Sequence, residues 1–330
     1  MSAELILRLP IVTEHLPAPE PTLWHAELIQ SKIDYLQAVD EKQAIDVLFM
    51  GNSTTQAGVN PKIFDKIRGN ATEVEPNAFN ASIEGLTPFG NLMFLQIYLR
   101  YSHPQTIIYG ITPQDLNSNS PWAKDVTDRV KHSPMALAEA RWGIKGEIIA
   151  KALDYSSLYR YRFVLHRMLL RGGVLPPLPQ VHFDDKGYNS LSRRLSDIPQ
   201  TDRGIFYGRA GVLNYLTTGE QQEALREFIE YCRKNDIDLI FVNMPLADDY
   251  YNNFDTPQDY ETYLSTLTQI SDEYKIPLWD MENLPSSDRF NDTEFADFNH
   301  LNKYGAEKLS ILLAKQYIQQ SIAGSAFGLE

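Results

Sequence analysis

The sequence has a single cysteine, Cys232, in 330 residues. One thiol cannot close an intrachain disulfide or build a cysteine-based zinc cluster. A lone cysteine reads most simply as cytosolic, yet many bacterial envelope proteins also lack disulfides, so localisation stays open. Long apolar runs are also missing: no stretch approaches the roughly 18 apolar residues that a membrane-spanning helix needs. The start, MSAELILRLPIVTEHLPAPEP, has only a very short apolar stretch and no small-residue cleavage site, so it does not read as a signal peptide. Positive charge is in short supply, with 30 Lys+Arg against 43 Asp+Glu and a formal net charge of −13. Nucleic acid and anionic membrane both call for a clustered positive field, so the overall balance predicts neither as a partner. One locally basic stretch, Tyr159 to Arg171, is the exception, and it reads as a solvated helix face or a contact to an acidic partner or anionic glycan.

What is present is an ordinary globular composition, 43% hydrophobic and 22% charged. Its length suits two domains, or one core with a large insertion. A Pro-rich leader and one helix, with Leu23, Ile29, Ile33 and Leu36 at helical spacing, occupy residues 1–43. Residues 44–50 (AIDVLFM) then form a nearly continuous apolar run ending at Gly51, the signature of a strand buried on both faces. An alternation follows. Asn60-Pro61 opens a short helix, 72–82 holds a second strand, 87–101 a helix and 105–112 a third strand. Regularity fails from about 117 to 216, which includes Trp122, Trp142, a proline cluster at 176–179 and the loop HFDDKGYNS, and is too long for a simple connection. It reads as an insertion with helices of its own. Beyond it, helices near 220–235, 257–274 and 302–320 alternate with strands at 237–245 and 276–281. The expected architecture is therefore α/β, with a parallel sheet covered on both faces and residues 44–330 forming one domain interrupted by the insertion.

Ligands of such sheets bind beyond the carboxyl ends of the strands. Directly after the first strand stands Gly51-Asn52-Ser53-Thr54-Thr55. It lacks the lysine and spacing of a phosphate-cradling loop, the second glycine of the G-x-S-x-G elbow, and any dinucleotide fingerprint. Two readings remain: a cluster that caps the next helix, or an exposed serine beside helix N–H groups, suited to a nucleophile or an anion. Near the other end, Asp297 and His300 stand three apart, so that the carboxylate can fix the imidazole tautomer. The acidic pairs Asp184-Asp185 and Asp248-Asp249, with His182 near the first, reproduce no metal motif and read as solvated loop carboxylates. No metal and no cofactor is called for.

The pairing of VLFMGNST (Gly51, Asn52, Ser53) with Asp297-Phe298-Asn299-His300 and its continuation HLNKYGAEKL resembles the SGNH (GDSL-like) hydrolase superfamily. Asn52 stands where that family usually has Asp. The resemblance implies a three-layer α/β/α sandwich with a flavodoxin-like sheet, a Ser53-His300-Asp297 triad, and an oxyanion hole formed by the N–H groups of Ser53 and Gly85. The family's third block normally adds an asparagine side chain, but here the text reads Gly110-Ile111-Thr112-Pro113-Gln114-Asp115; Asn80, Thr112 or Asn117 are the candidates to replace it. YGITPQDL, VNMPL and HLNKYGA are similar to the branch holding the D-alanyl transfer protein of teichoic acid synthesis and alginate O-acetylation proteins. The activity implied is that of a serine esterase or O-acyltransferase on an acyl ester or acylated glycan. The alternative is an inactive binding or scaffold protein on the same fold.

Overall fold

Val47 and Phe49 pack into one apolar cluster and their neighbours Leu48 and Met50 into another, and all four are fully buried. A strand whose alternate residues both face a core must lie in a sheet covered on two sides. The computed structural model describes residues 3–13, 15–16, 26–71, 75–170, 172–173, 182–201, 203 and 211–327. Leu23 and the proline cluster at 176–179 lie outside the described residues. β1 (Val47–Met50) pairs in parallel with β2 (Ala78–Asn80) and β3 (Thr106–Ile111), and β4 (Asp238–Asn243) and β5 (Leu278–Asp280) continue the sheet. The order β2-β1-β3-β4-β5 is the flavodoxin-type order, and its direction reverses between β1 and β3.

Two helical layers complete a three-layer α/β/α sandwich. On one face the helices Ala26–Asp40, Pro88–Tyr98, Glu220–Lys234 and Pro257–Tyr274 bring Leu36, Leu95, Phe228 and Leu267 against Leu48, Tyr109 and Phe241. On the other face Pro61–Gly69 and Lys303–Phe327 bring Phe64, Leu309 and Leu313 against Phe49, Ile108 and Val242. Asn60 caps its helix through a side-chain bond from the Lys62 N–H, with Pro61 in the first turn. Among the described residues no helix is long and apolar enough to cross a membrane.

The stretch expected as an insertion has two unlike parts. Its first part is helical, with Pro121–His132, Pro134–Glu139, Gly143–Tyr155, Ser157–Arg160 and Arg162–Leu170. Its second part, 182–197, is nearly without regular structure and runs back along the carboxyl ends of the strands. The N–H of Asn80 donates to Lys186 O, that of Asn189 to Gln56 O, and that of Lys303 to Leu191 O.

Lys32 holds this return in place. It stands within the apolar stripe of the Ala26–Asp40 helix, is fully buried, and donates to Asn80 O at 2.7 Å and Gly187 O at 2.5 Å, with its ammonium 4.4 Å from the Phe183 ring centre. Burial pulls its pKa down to about 7, against an opposing pull from the Asp184 charge. Gly187 adopts φ +80, and a β-carbon there would meet Asn80 O at 2.1 Å. Only glycine fits that turn.

Candidate active site

Ser53 lies where doubly wound sheets place their ligands, at the carboxyl end of β1 beside the reversal of strand order. The turn that presents it is built from Gly51 and Asn52. Gly51 has φ +148, and a β-carbon would stand 2.7 Å from Gly110 O and 2.4 Å from Thr55 Oγ1. Asn52 caps the Ser53–Gly58 helix: its Oδ1 accepts from the Thr54 N–H at 2.8 Å. Its amide donates to both oxygens of Asp115 at 2.9 Å, and the Thr112 N–H donates to Asp115 Oδ2 at 2.8 Å. Burial raises the Asp115 pKa to about 6, partly offset by these donors. This buried carboxyl explains the asparagine at 52, because an aspartate there would set two carboxylates face to face.

The second loop reaches the same point from the far end of the chain. His300 Nε2 stands 2.8 Å from Ser53 Oγ, and Nδ1 stands 2.9 and 3.0 Å from the two oxygens of Asp297. Asp297 Oδ1 also accepts from the backbone N–H groups of His300 and Asn299. Burial pushes the Asp297 carboxyl up, but His300 and the two N–H groups outweigh it and leave the pKa below the usual carboxylate range. A bridge between Phe295 and Leu301 closes the loop, and Asn302 fixes its exit. The Asn302 amide donates to Thr293 O and Phe295 O, while its oxygen accepts from the Tyr304 and Gly305 N–H groups at the start of the last helix. A β-carbon at Gly305 would meet Glu294 O at 2.2 Å. The text HLNKYGA is thus a capping device with a required glycine.

Not all the expected site residues converge on the serine. Gly85 has φ +69 in the turn after β2, and Glu84 beside it lines the cleft that holds Ser53 and His300. The three stand-ins for the missing asparagine donor are spent elsewhere, which corrects that expectation. Asn80 donates both amide hydrogens, to Thr55 O and Val59 O. Thr112 is fully buried and its hydroxyl donates to Asp115. Asn117 donates to Gly211 O and Leu213 O. Asn80 and Asn117 each tie one backbone segment to another, Thr112 holds the Asp115 carboxylate, and none has an amide or hydroxyl hydrogen left for an oxyanion.

Three contributors were not anticipated. Arg193, from the irregular return, donates through Nε to Ala296 O at 2.9 Å and sets Nη2 3.3 Å from Asp297 Oδ2. Trp122 donates its indole N–H to Gly85 O at 3.1 Å, so the Pro121–His132 helix touches the turn of that glycine. Glu84 faces the same cleft of 430 Å³. The Glu84 and Gly85 positions share one sequence motif, but nothing in the local text around Ser192-Arg193-Arg194 signals a long-range contact. Three residues of the acidic pairs, Asp184, Asp185 and Asp249, are engaged in ion pairs. Lys62 bridges Asp184 at 3.0 Å and also contacts Asp185, and Arg203 binds Asp249 at 2.8 Å. Among the described residues no group of three or more His, Cys, Asp or Glu is placed to hold a metal ion.

One protein-family model matches, over residues 213–322. No curated protein matches the sequence. Solved structures are similar to it at low identity. The lipase/acylhydrolase of Enterococcus faecalis is 12% identical, with 84% of this chain and 96% of that chain covered at a TM-score of 0.43. A GDSL-like lipase of Bacteroides thetaiotaomicron is 14% identical over 88% and 99% of the two chains at a TM-score of 0.40. The psychrotrophic esterase EstA of a Pseudoalteromonas species is 14% identical over 85% and 98% at 0.38. Likenesses this loose carry no argument about chemistry, which stands on the geometry of the loops.

Proposed function

We propose that this chain is a serine esterase or O-acyltransferase of the SGNH type, with Ser53 as nucleophile, His300 as base and Asp297 as the group that orients His300. The observation that carries this reading is the unbroken chain of contacts from Ser53 Oγ through both ring nitrogens of His300 to Asp297, with 2.8 and 2.9 Å steps. In that arrangement His300 Nε2 takes the hydroxyl proton as Ser53 attacks an ester carbonyl, and Asp297 stabilises the resulting imidazolium. Negative charge on the carbonyl oxygen then meets the N–H groups of Ser53 and Gly85. Ser53 is the first residue of its helix, so its N–H has no acceptor within that helix. The tetrahedral species collapses by expelling the alcohol, which receives the proton from His300. An acyl-Ser53 remains, and water or a sugar hydroxyl, deprotonated by His300, takes the acyl group.

The cleft wall favours a polar acyl carrier. Gln56, Glu84, Asn189, Ser192 and Arg193 line it beside Ala57, Leu191 and Ala296, a mixed set that can meet both the hydroxyls and the apolar ring faces of a glycan. The D-alanyl transfer and alginate O-acetylation branch supplies the corresponding substrate class, an O-acylated envelope polysaccharide. Residues 44–330 act as one domain in this reading, since the triad draws on residues 247 positions apart.

A second reading, an inert binding protein on the same fold, draws on the engagement of Asn80, Thr112 and Asn117, which leaves backbone donors alone to face an oxyanion. A fluorophosphonate probe separates the two. Prompt covalent labelling at Ser53, lost in Ser53→Ala together with turnover of an acetyl ester, supports the enzyme. An unlabelled wild type with no ester turnover rejects it in favour of the binding protein.

A further inference from the structure

The helical part of the insertion carries an outward apolar face. On the Gly143–Tyr155 helix, Gly146, Ala150 and Leu153 are buried, while Ile144, Ile148 and Tyr155 form a stripe on the opposite side at helical spacing. They are 83%, 64% and 84% exposed. Leu169 and Leu170, at the end of the Arg162–Leu170 helix, are each 74% exposed. The amino-terminal segment extends the patch. Glu4 accepts from the N–H groups of Ser157 and Leu158, and Arg8 donates to Tyr155 O, which sets the exposed Leu5 and Ile6 beside this surface. Scattered apolar side chains need no explanation, but a helix stripe continuous with a second exposed segment does.

Charge on the same stretch runs against the rest of the molecule. Residues 141–171 hold seven Lys and Arg against two Asp and Glu, in a chain of net charge −13. Lys151 lies within the apolar stripe itself and Lys145 beside it, both exposed. Among the described residues Lys145, Lys151, Arg162 and Arg167 enter no ion pair. A protein partner's contact surface tends to exclude lysine from its centre. A lipid headgroup layer accepts it, because the long stem lies along apolar surface while the ammonium reaches phosphate, and tyrosine rings suit that same boundary. The overall acidity that argued against an anionic membrane is therefore an average over two segregated regions.

We propose that the surface formed by Ile144, Ile148, Lys151 and Tyr155, with Leu5 and Ile6 beside it, is a peripheral docking face for an anionic lipid bilayer. The apolar stripe enters the headgroup region, and Lys145 and Lys151 meet lipid phosphates. The face binds whether or not Ser53 is a nucleophile, since no residue of the cleft takes part. No helix spans the bilayer in this mode.

The test is co-sedimentation of the full chain with vesicles of equimolar phosphatidylglycerol and phosphatidylcholine, and with vesicles of phosphatidylcholine alone. Binding is expected to the first and weak to the second, and to fall as salt is raised. Ile144→Ser/Ile148→Ser/Tyr155→Ser removes the stripe and Lys145→Glu/Lys151→Glu reverses charge. Each is expected to weaken anionic-vesicle binding by roughly tenfold or more, with an unchanged thermal melt because all five side chains are exposed. Absence of binding to anionic vesicles, or binding that neither variant weakens, overturns the proposal. So does sedimentation velocity showing a dimer that the apolar variant dissolves, with no vesicle binding, because the face is then covered by a second copy of the chain. The wild-type salt dependence decides the matter even if one variant fails to fold.

Discussion

The two parts of the long stretch between β3 and the Glu220–Lys234 helix differ in a way that reverses the usual association of regularity with integration. Residues 121–170 are almost wholly helical, yet their outer side chains face solvent. Residues 182–197 are irregular, yet they are stitched to both helical layers and to the sheet. The Leu195 N–H donates to Phe295 O, and Leu195 packs in the core beside Met281 and Phe295. Backbone groups without a helix or sheet partner must find one elsewhere, and here they find it across the chain. The consequence reaches the cleft beside Ser53 and His300, because the irregular part brings Asn189, Ser192 and Arg193 to its wall.

Substitutions at the anchor of the irregular part are expected to break that contrast most severely. Lys32→Ala leaves Asn80 O and Gly187 O without their buried donor and opens space beside Phe183, a loss of about 3 kcal/mol in a urea melt. Lys32→Met retains the volume and is expected to recover part of it. The lysine also gives a pH signature. Its folded pKa of about 7 lies below its ordinary 10.5, so the unfolded chain binds more protons between those values and the wild type gains stability from this residue as pH rises through that window. The Lys32→Met variant should lack the gain. A flat difference between the two from pH 7 to 10 would remove the buried ammonium from the account.

A smaller effect is expected at the floor of the serine turn. Asn52→Asp faces a second carboxyl against Asp115, so at least one proton is retained in the fold and not in the unfolded chain. Stability should then fall as pH rises, costing about 2 kcal/mol at pH 8 and little at pH 4. Equal melts at both pH values would reject the facing arrangement. Smaller again, Arg193→Ala should lower kcat/KM for a model ester by roughly tenfold while leaving the melting temperature nearly unchanged, because its guanidinium sits beside Asp297 but is half exposed. The least effect belongs to the regular part, where Ile148→Ser should change unfolding free energy by no more than about 0.5 kcal/mol.

Most of the sheet was legible in sequence because β1, β3, β4 and β5 are short apolar runs ended by Gly, Pro or a polar turn, whereas β2 is only Ala78–Asn80 within the expected 72–82, whose polar text TEVEPNAFNAS marks no strand ends. The meeting of Ser53, Asp297 and His300 was legible because each follows a local pattern, glycine and asparagine before the serine and a three-residue spacing between carboxylate and imidazole. The substitutes for the absent asparagine match it by residue type and proximity in the text, and type says nothing about whether a side chain's hydrogens are already bound. Arg193 was invisible for a related reason, since its contacts lie 103 and 104 residues away. Lys32 did leave a signal: a lysine three residues after Ile29 and one before Ile33 stands inside an apolar stripe, where an unpaired charge is unexpected.

Cys232, whose solitude first excluded disulfides, has a further use that follows from its position. It is fully buried on the Glu220–Lys234 helix against the sheet, and burial pushes its thiol pKa far up. A thiol reagent therefore finds nothing to modify until that layer parts from the strands. The labelling rate of the unmodified protein is thus a native clock for opening of the core. A cysteine placed on any exposed position then becomes the single fast-reacting handle for a dye or spin label, with no background to subtract.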